Sequence, residues 1–327
     1  MKQKIRWGVL GNAKIAREKV IPAMQKGSNS VVVAMASRDV AKAKPVCDAL
    51  GIGTLHASYE ALLSDSNVDA IYNPLPNDLH VPWSIRAAEA GKHVLCEKPI
   101  GLSSGEAREL IMVRDRTGVK MGEAFMARTH PQWLRAKEIV DSGAIGDLRL
   151  MTCVFSYFNK DAANIRNKMS AGGGALMDIG CYPVTLSRMI FGCEPVRVTS
   201  SVERDPEFGT DRLTSAILDY PQGQCVFSCS TQLNPYQRVL IFGTKGRVEI
   251  EIPFNALPDR PMRIIVEPGG IEELPVCDQY TIQGDLFSRA ILEDGPVPVS
   301  LEDALGNMLV IEAVFKENHG TVHLESL

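Results

Sequence analysis

The sequence predicts an α/β protein: an N-terminal doubly wound domain of Rossmann type, then a C-terminal α+β domain with a large, mostly antiparallel open sheet. Three observations carry this. The first third alternates apolar strand runs with helical periodicity. Its first strand ends in a glycine that opens a helix. Past residue 148 the pattern becomes strands joined by hairpin-like turns. The 327 residues suit two domains, placed at 1–123 and 124–327.

In order, Ile5 to Leu10 is a strand and Ile15 to Met24 a helix, with Ile15, Val20, Ile21 and Met24 on one face. Val31 to Ala36 is a buried strand, and Ala41 to Leu50 a helix stopped by Gly51. A short helix at Tyr59–Ser64 precedes the strand Asp69 to Tyr72. The helix His80 to Ala90, the strand His93 to Glu97 and the helix Ser103 to Thr117 follow, the last with Ser103 or Ser104 as its cap and Gly118 as its stop. Val119 to Glu123 closes the alternation. Such alternation makes a parallel sheet with helices on both faces. After a helix at Trp133–Ser142, strands are expected at Leu148–Tyr157, Val196–Val202, Arg212–Tyr220, Gln224–Gln232, Arg238–Phe242 and Arg247–Ile252. Helices at Ala175–Ile190 and Leu301–Glu317 complete the pattern.

Composition excludes several classes. Lys plus Arg is 35 against 39 Asp plus Glu, a net charge of −4, which gives no global pull toward nucleic acid or anionic membrane. Apolar runs are strand-sized, far short of the roughly 18 residues of a membrane span. The N-terminus lacks the apolar stretch of a signal peptide. The eight cysteines (Cys47, Cys96, Cys153, Cys181, Cys193, Cys225, Cys229, Cys277) are scattered with no CxxC pair. They read as buried thiols of a reducing compartment, with no metal site, and the expected location is the cytoplasm.

Against the dinucleotide fingerprint G-x-G-x-x-G/A, the chain offers Gly11-x-Ala13-x-x-Ala16 after its first strand. Gly11 makes the tight turn, Ala13 is a small departure where the backbone must approach a pyrophosphate, and Ala16 permits close packing. Gly11, Asn12, Ala13, Lys14 and Ile15 are thus cofactor-binding candidates, their helix N-terminus facing the pyrophosphate. NAD enzymes place an acid at the end of the second strand; here Ser37 and Arg38 stand there. A hydroxyl and a guanidinium suit a 2′-phosphate, so NADP is expected over NAD. A surface arginine that merely begins a loop is the alternative, and Asp39 lies close.

Two further segments carry chemistry. Cys96-Glu97-Lys98-Pro99 follows the fourth strand of the alternation, at the edge where ligands bind in such sheets. Gly172-Gly173-Gly174 leads into a helix with Asp178 and Tyr182 four apart, hence on one face. The glycines read as a flexible approach against which a bulky ligand can press. A carboxylate and a phenol there could hold a sugar hydroxyl and move its proton, and a nearby Lys98 ammonium would lower the phenol pKa from about 10. Taken alone, Lys98 is a loop lysine and Tyr182 a core aromatic with its hydroxyl bonded.

With these motifs, together with Ala70-Ile71-Tyr72-Asn73-Pro74-Leu75-Pro76-Asn77-Asp78-Leu79-His80 and Glu123-Ala124-Phe125-Met126, the chain resembles the Gfo/Idh/MocA oxidoreductases over nearly its whole length. The resemblance implies Lys98, Asp178 and Tyr182 as catalytic residues. It implies Pro74, Leu75, Asn77 and His80 on the nicotinamide side, Glu97 at the ribose, and Tyr59 and Arg166 as further cofactor contacts. Taken alone, His80 is a helix-start histidine near Asp78, and Arg166 a solvated loop charge. Many members carry His where this chain has Tyr182, so it is similar to the branch of glucose–fructose oxidoreductase, dimeric dihydrodiol dehydrogenase and NADP-dependent xylose dehydrogenase.

The implied function is NADP-dependent hydride transfer between the nicotinamide and a carbinol or carbonyl carbon of a sugar or polyol. The implied assembly is a homodimer or homotetramer through the outer face of the C-terminal sheet. The alternatives are a non-enzymatic NADP-binding regulatory protein and a lyase or hydrolase with tightly held NAD.

Overall fold

The computed structural model describes residues 4–316 and 321–323. The chain divides into two units. One holds the described residues up to Met126 together with Asp278–Leu305; the other holds Ala127–Cys277 and those from Gly306 onward.

The first unit is a six-stranded parallel sheet: β1 (Ile5–Leu10), β2 (Ser30–Ala36), β3 (Thr54–His56), β4 (Ala70–Asn73), β5 (His93–Glu97) and β6 (Met121–Ala124), in the order β3-β2-β1-β4-β5-β6. The order reverses between β1 and β4. Ligands bind in such sheets outside the carboxyl ends of the strands at that reversal.

The helices between these strands are α1 (Ile21–Gln25), α2 (Val40–Leu50), α3 (Tyr59–Leu63), α4 (His80–Glu89) and α5 (Ser104–Thr117). A π-helical turn, Ala16–Val20, leads into α1. Ser103 caps α5 by accepting from the Glu106 N–H, and Gly118 ends it in the left-handed conformation, as the sequence predicts.

The second unit begins with α6 (Pro131–Asp141), β7 (Leu148–Phe158) and α7 (Cys181–Phe191), the last preceded by the π-helical turn Leu176–Gly180. Then come β8 (Arg197–Arg204), β9 (Asp211–Tyr220), β10 (Gly223–Ser230), β11 (Gln232–Gly243), β12 (Arg247–Ile250), β13 (Met262–Glu267) and β14 (Gly270–Leu274). With β15 (Thr321–His323) they form a nine-stranded sheet in the order β14-β13-β12-β11-β7-β10-β9-β8-β15. Every neighbouring pair is antiparallel except β10 with β7.

Side chains alternate across this sheet. Met151, Cys153 and Phe155 of β7 and Cys225, Phe227 and Cys229 of β10 are buried. Val154 and Val226, on the opposite face, are exposed at 40% and 37%. Leu150, Ile217, Leu240 and Phe242 join them there, half-buried.

A helix that follows β14 in sequence, α8 (Gln279–Leu292), corrects the expected division at 123/124. The sequence reading leaves 278–305 with the second domain, whereas α8 packs in the core of the first unit. Trp7 Nε1 donates to Ser288 Oγ at 3.0 Å, with the Trp7 and Phe287 rings 5.7 Å apart. The Asp285 carboxylate accepts the Ser28 and Asn29 N–H groups at 2.7 and 2.9 Å. Gly284 obscures the helix in the sequence but serves packing, because a Cβ there would lie 2.8 Å from Met24 Cγ. The last helix, α9 (Leu301–Lys316), crosses the division.

Candidate active site

The first unit's candidates gather at the carboxyl ends of β1, β2, β4 and β5. Gly11 adopts φ +79°, and a Cβ there would stand 3.0 Å from Leu75 Cδ2 and 3.4 Å from the Tyr59 hydroxyl. Both the backbone and the close approach therefore require glycine. Tyr59 is buried edge-on to Trp83, with ring centroids 4.8 Å apart. The first-turn N–H groups after Ala13 have no intrahelical acceptor. Beside them Asn12 Oδ1 is buried without a hydrogen-bond partner among the described residues. A left-handed glycine, first-turn amides and an orphaned polar oxygen fit a dinucleotide's phosphates and ribose. Lys14 is exposed, with Glu18 at 3.9 Å, and Ile15 is half-buried.

At the end of β2, Ser37 is buried and its hydroxyl donates to the Asp39 carbonyl and accepts the Asp39 N–H. Asp39 caps α2, accepting the Lys42 N–H at 3.0 Å, and pairs with the Lys42 ammonium at 3.0 Å. The hydrogen bonds from Lys42 hold its carboxyl below the usual range. The acid next to Arg38 is thus committed to a helix start, while the Arg38 side chain is exposed.

His80 joins two loops. Its Nδ1 lies 2.8 Å from the Pro99 carbonyl oxygen and its Nε2 2.7 Å from that of Leu75. Burial, aided by the Lys98 ammonium, pushes its pKa down to about 4 against the pull of the two carbonyls. The ring is neutral at pH 7 and carries one N–H, which donates to one of these two carbonyls. The resemblance puts His80 beside the nicotinamide; in the structure the ring is 1% exposed and fixes the Leu75 turn to the Lys98-Pro99 turn. Glu97 accepts the Tyr72 hydroxyl at 2.6 Å and the Lys98 backbone N–H at 3.4 Å. Tyr72 and Cys96 are buried, and burial raises the pKa of each. Asn77 lies in the turn Asn77–Leu79 that opens α4.

In the second unit the π-helical turn presents Asp178 and α7 presents Tyr182. Asp178 Oδ2 accepts the Tyr157 hydroxyl at 2.6 Å and Arg166 Nε at 2.8 Å. Burial and the Asp178 charge push the Tyr157 phenol above its usual range, so it is a donor. Asp178 and Tyr157 likewise raise the Arg166 guanidinium. Arg166, implied by resemblance as a cofactor contact, is here the ion-pair partner of Asp178. The Tyr182 ring is buried, 5.7 Å from the Phe155 centroid and 5.1 Å from that of Phe254.

Sequence reasoning missed Tyr157. A signal was available: it shares the strand parity of Met151, Cys153 and Phe155, the face that lies under the helices.

The triple glycine has another cause than the one expected. Gly172 turns the chain at φ +69°. A Cβ on Gly173 would meet the Arg166 carbonyl oxygen at 2.4 Å, and one on Gly174 the Asp211 carboxylate at 1.9 Å. The segment is packed against its own chain rather than left open for a ligand to press.

The described residues hold no group of three or more His, Cys, Asp or Glu able to hold a metal ion. None of their helices is long and apolar enough to cross a membrane.

A parallel sheet with a glycine-led turn after its first strand, together with a second unit built on a large, mostly antiparallel sheet, defines the class of two-domain, dinucleotide-type oxidoreductase folds. Residues 5–125 match the family described as "Oxidoreductase family, NAD-binding Rossmann fold", and 133–249 match the "GFO/IDH/MocA C-terminal domain". The chain belongs to this GFO/IDH/MocA oxidoreductase family. It is 46% identical to an uncharacterized oxidoreductase of Rhizobium meliloti over 95% of this chain and 96% of that one. It is 38% identical to a D-xylose 1-dehydrogenase (NADP(+)) of Haloferax volcanii, again over 95% and 96%. A 3-ketoreductase from Actinomadura kijaniata, solved with NADP and TDP-benzene, superposes with a TM-score of 0.89 at 30% identity, covering 96% of this chain and 98% of that one.

Proposed function

We propose that this chain is an NADP-dependent dehydrogenase or ketoreductase acting on a CH–OH group of a sugar or sugar-like polyol. The observation that carries the reading is the Asp178 carboxylate, held by Tyr157 and Arg166 one turn before Tyr182. That arrangement suits a substrate hydroxyl, with a charged acceptor to orient it and a phenol to exchange its proton. The NADP-named relatives and the exposed Arg38 support the cofactor.

The loop Gly11–Ile15 would hold the pyrophosphate, Ser37 and Arg38 the 2′-phosphate end, and Glu97 the ribose. Pro74, Leu75 and Asn77 would line the nicotinamide side, with Tyr59 behind Gly11. Bound there, NADP would supply or accept the hydride. Tyr182 gives or takes the hydroxyl proton, Lys98 polarises the substrate oxygen with its ammonium charge, and Asp178 orients the substrate. Arg166 acts through Asp178.

We also read the enzyme as a cytoplasmic homodimer or homotetramer. Eight cysteines, six of them buried, suit a reducing compartment. The apolar residues Leu150, Val154, Ile217, Val226, Leu240 and Phe242 share the sheet face turned from α6 and α7, and such a face is favoured when paired.

The test is a panel of aldoses, keto-sugars and trans-dihydrodiols followed at the NADPH absorbance band. Turnover with at least one sugar-type substrate is expected. Absence of turnover with all of them, or cofactor that never leaves on dialysis, would overturn the reading in favour of a regulator or a tightly bound NAD enzyme.

A further inference from the structure

The helix that carries Asp178 and Tyr182 starts without a cap of its own. Ala175 precedes the π-helical turn and has no side-chain oxygen to accept the free N–H groups. The acceptor comes instead from 35 residues away. Asp211, which opens β9, is 1% exposed, and its Oδ2 accepts the Leu176 N–H at 2.7 Å and the Thr214 hydroxyl at 2.8 Å. Gly174, at φ +123°, lets the same carboxylate close in. The Gly174 N–H in turn donates to the Arg166 carbonyl at 2.9 Å, while the Arg166 side chain grips Asp178. Further along, a Cβ on Gly180 would meet Cys229 Sγ at 2.8 Å, so the turn also lies directly on β10.

We propose that Asp211 is a positioning residue for the reaction, its carboxylate fixing to the sheet the turn that aims Asp178 and Tyr182. The proposal rests on the catalytic roles given to those two residues above. A cap supplied by the neighbouring residue would travel with the helix; a cap supplied by a sheet strand sets where the helix begins. A carboxylate is a costly choice at so buried a place, and burial pushes Asp211 up to about 6. The groups around it are the Leu176 N–H, Thr214, Arg204, Tyr157 and Cys229.

The experiment compares Asp211→Ala and Asp211→Asn with wild type, using the full chain, NADPH and the best substrate of the panel. Asp211→Ala is expected to lower kcat by about 10²-fold through misplacement of the turn, with the NADPH dissociation constant unchanged. Asp211→Asn keeps an acceptor oxygen for Leu176 and is expected to recover most of the loss. In an Asp178→Asn background, Asp211→Ala should cost little more, because the effect passes through Asp178. Hydrogen exchange of the 172–180 segment should quicken in Asp211→Ala alone, a readout that needs no substrate. Wild-type kcat in a folded Asp211→Ala protein, or unchanged exchange of that segment, would overturn the inference. Full activity in Tyr182→Phe would instead sink the underlying reading, so the two failures are distinct. Should Asp211→Ala not fold, Asp211→Asn decides by exchange: native protection of 172–180 supports the cap, and protection as poor as in unfolded chain refutes it.

Discussion

Tyr157 donates its hydroxyl hydrogen to Asp178 Oδ2 at 2.6 Å, from a strand face otherwise given to Met151, Cys153 and Phe155. With its pKa raised by burial and by Asp178, the phenol keeps its proton across the working pH range. Its part is therefore to aim a carboxylate, not to transfer a proton. Tyr157→Phe keeps the ring and leaves the Arg166 ion pair with Asp178 in place. A hydrogen bond to a charged group contributes roughly 1.5–3 kcal/mol. If about half is felt at the transition state, kcat falls by about 4- to 13-fold. Steady-state kinetics should show that loss with the KM for NADPH unchanged; equal losses in both would mean general disruption.

Tyr182 and Lys98 are expected to act on the substrate oxygen itself. Tyr182→Phe keeps the ring contacts with Phe155 and Phe254, so the protein should still fold, while turnover drops by about 10²–10⁴-fold. Lys98→Met should lose turnover on a similar scale. NADPH titration by fluorescence separates chemistry from binding, and wild-type turnover in Tyr182→Phe would remove that residue from the mechanism.

With Asp39 spent on α2, Arg38 is expected to set the cofactor preference. The expected order is NADPH bound more tightly than NADH, with Arg38→Ala erasing most of the difference. Losing charge-assisted bonds to a 2′-phosphate should cost about 1.5–3 kcal/mol for NADPH and almost nothing for NADH. A wild type that prefers NADH would show that Ser37 and Arg38 do not read the phosphate.

The open face of the second sheet predicts association. Val154 and Val226 are more than a third exposed, beside the half-buried Leu240 and Phe242. Light scattering at micromolar concentration should give at least a dimer mass. Val226→Glu should push the protein toward monomer by burying an unpaired charge. A monomeric wild type would leave this face without its proposed partner.

What the sequence could tell depended on how local the cause was. Gly118 and the Ser103 cap are set by their own few residues and were readable, as was the turn at Gly11, though Leu75 and Tyr59, which also press on it, were not. The helix α8 was not, because Gly284 breaks its pattern for the sake of Met24, some 260 residues earlier. The glycines at 173 and 174 were visible but their reason was not: they make room for the Arg166 carbonyl and the Asp211 carboxylate, which only the fold brings there. The same holds for Arg166, whose partner Asp178 is 12 residues on, and for Tyr157, 21 residues before it. The candidate residues themselves were legible as types in a pattern; their second partners were tertiary.

The last prediction concerns acid stability. His130 is 1% exposed and caps α6, its Nδ1 accepting the Gln132 N–H at 3.2 Å. That bond needs a lone pair on Nδ1, so the ring proton sits on Nε2, 3.5 Å from Cys277 Sγ. Protonating Nδ1 would turn an acceptor into a donor facing an N–H. Burial pushes the pKa down to about 4 from 6.5. The folded state therefore disfavours the proton that the unfolded chain takes up, and stability falls as pH drops. The contribution is whole above pH 6.5 and is lost progressively toward pH 4, to a total of about 3 kcal/mol at 1.36 kcal/mol per pH unit. His130→Asn is the control, since asparagine is among the best N-caps and does not titrate. His80, also depressed to about 4, is present in both proteins, so its effect cancels in the comparison. Urea midpoints at pH 7.5 and 4.5 should show wild type losing ground to His130→Asn on acidification. A constant gap between the two proteins across that range would mean that His130 takes up its proton in the folded state as readily as in the unfolded chain.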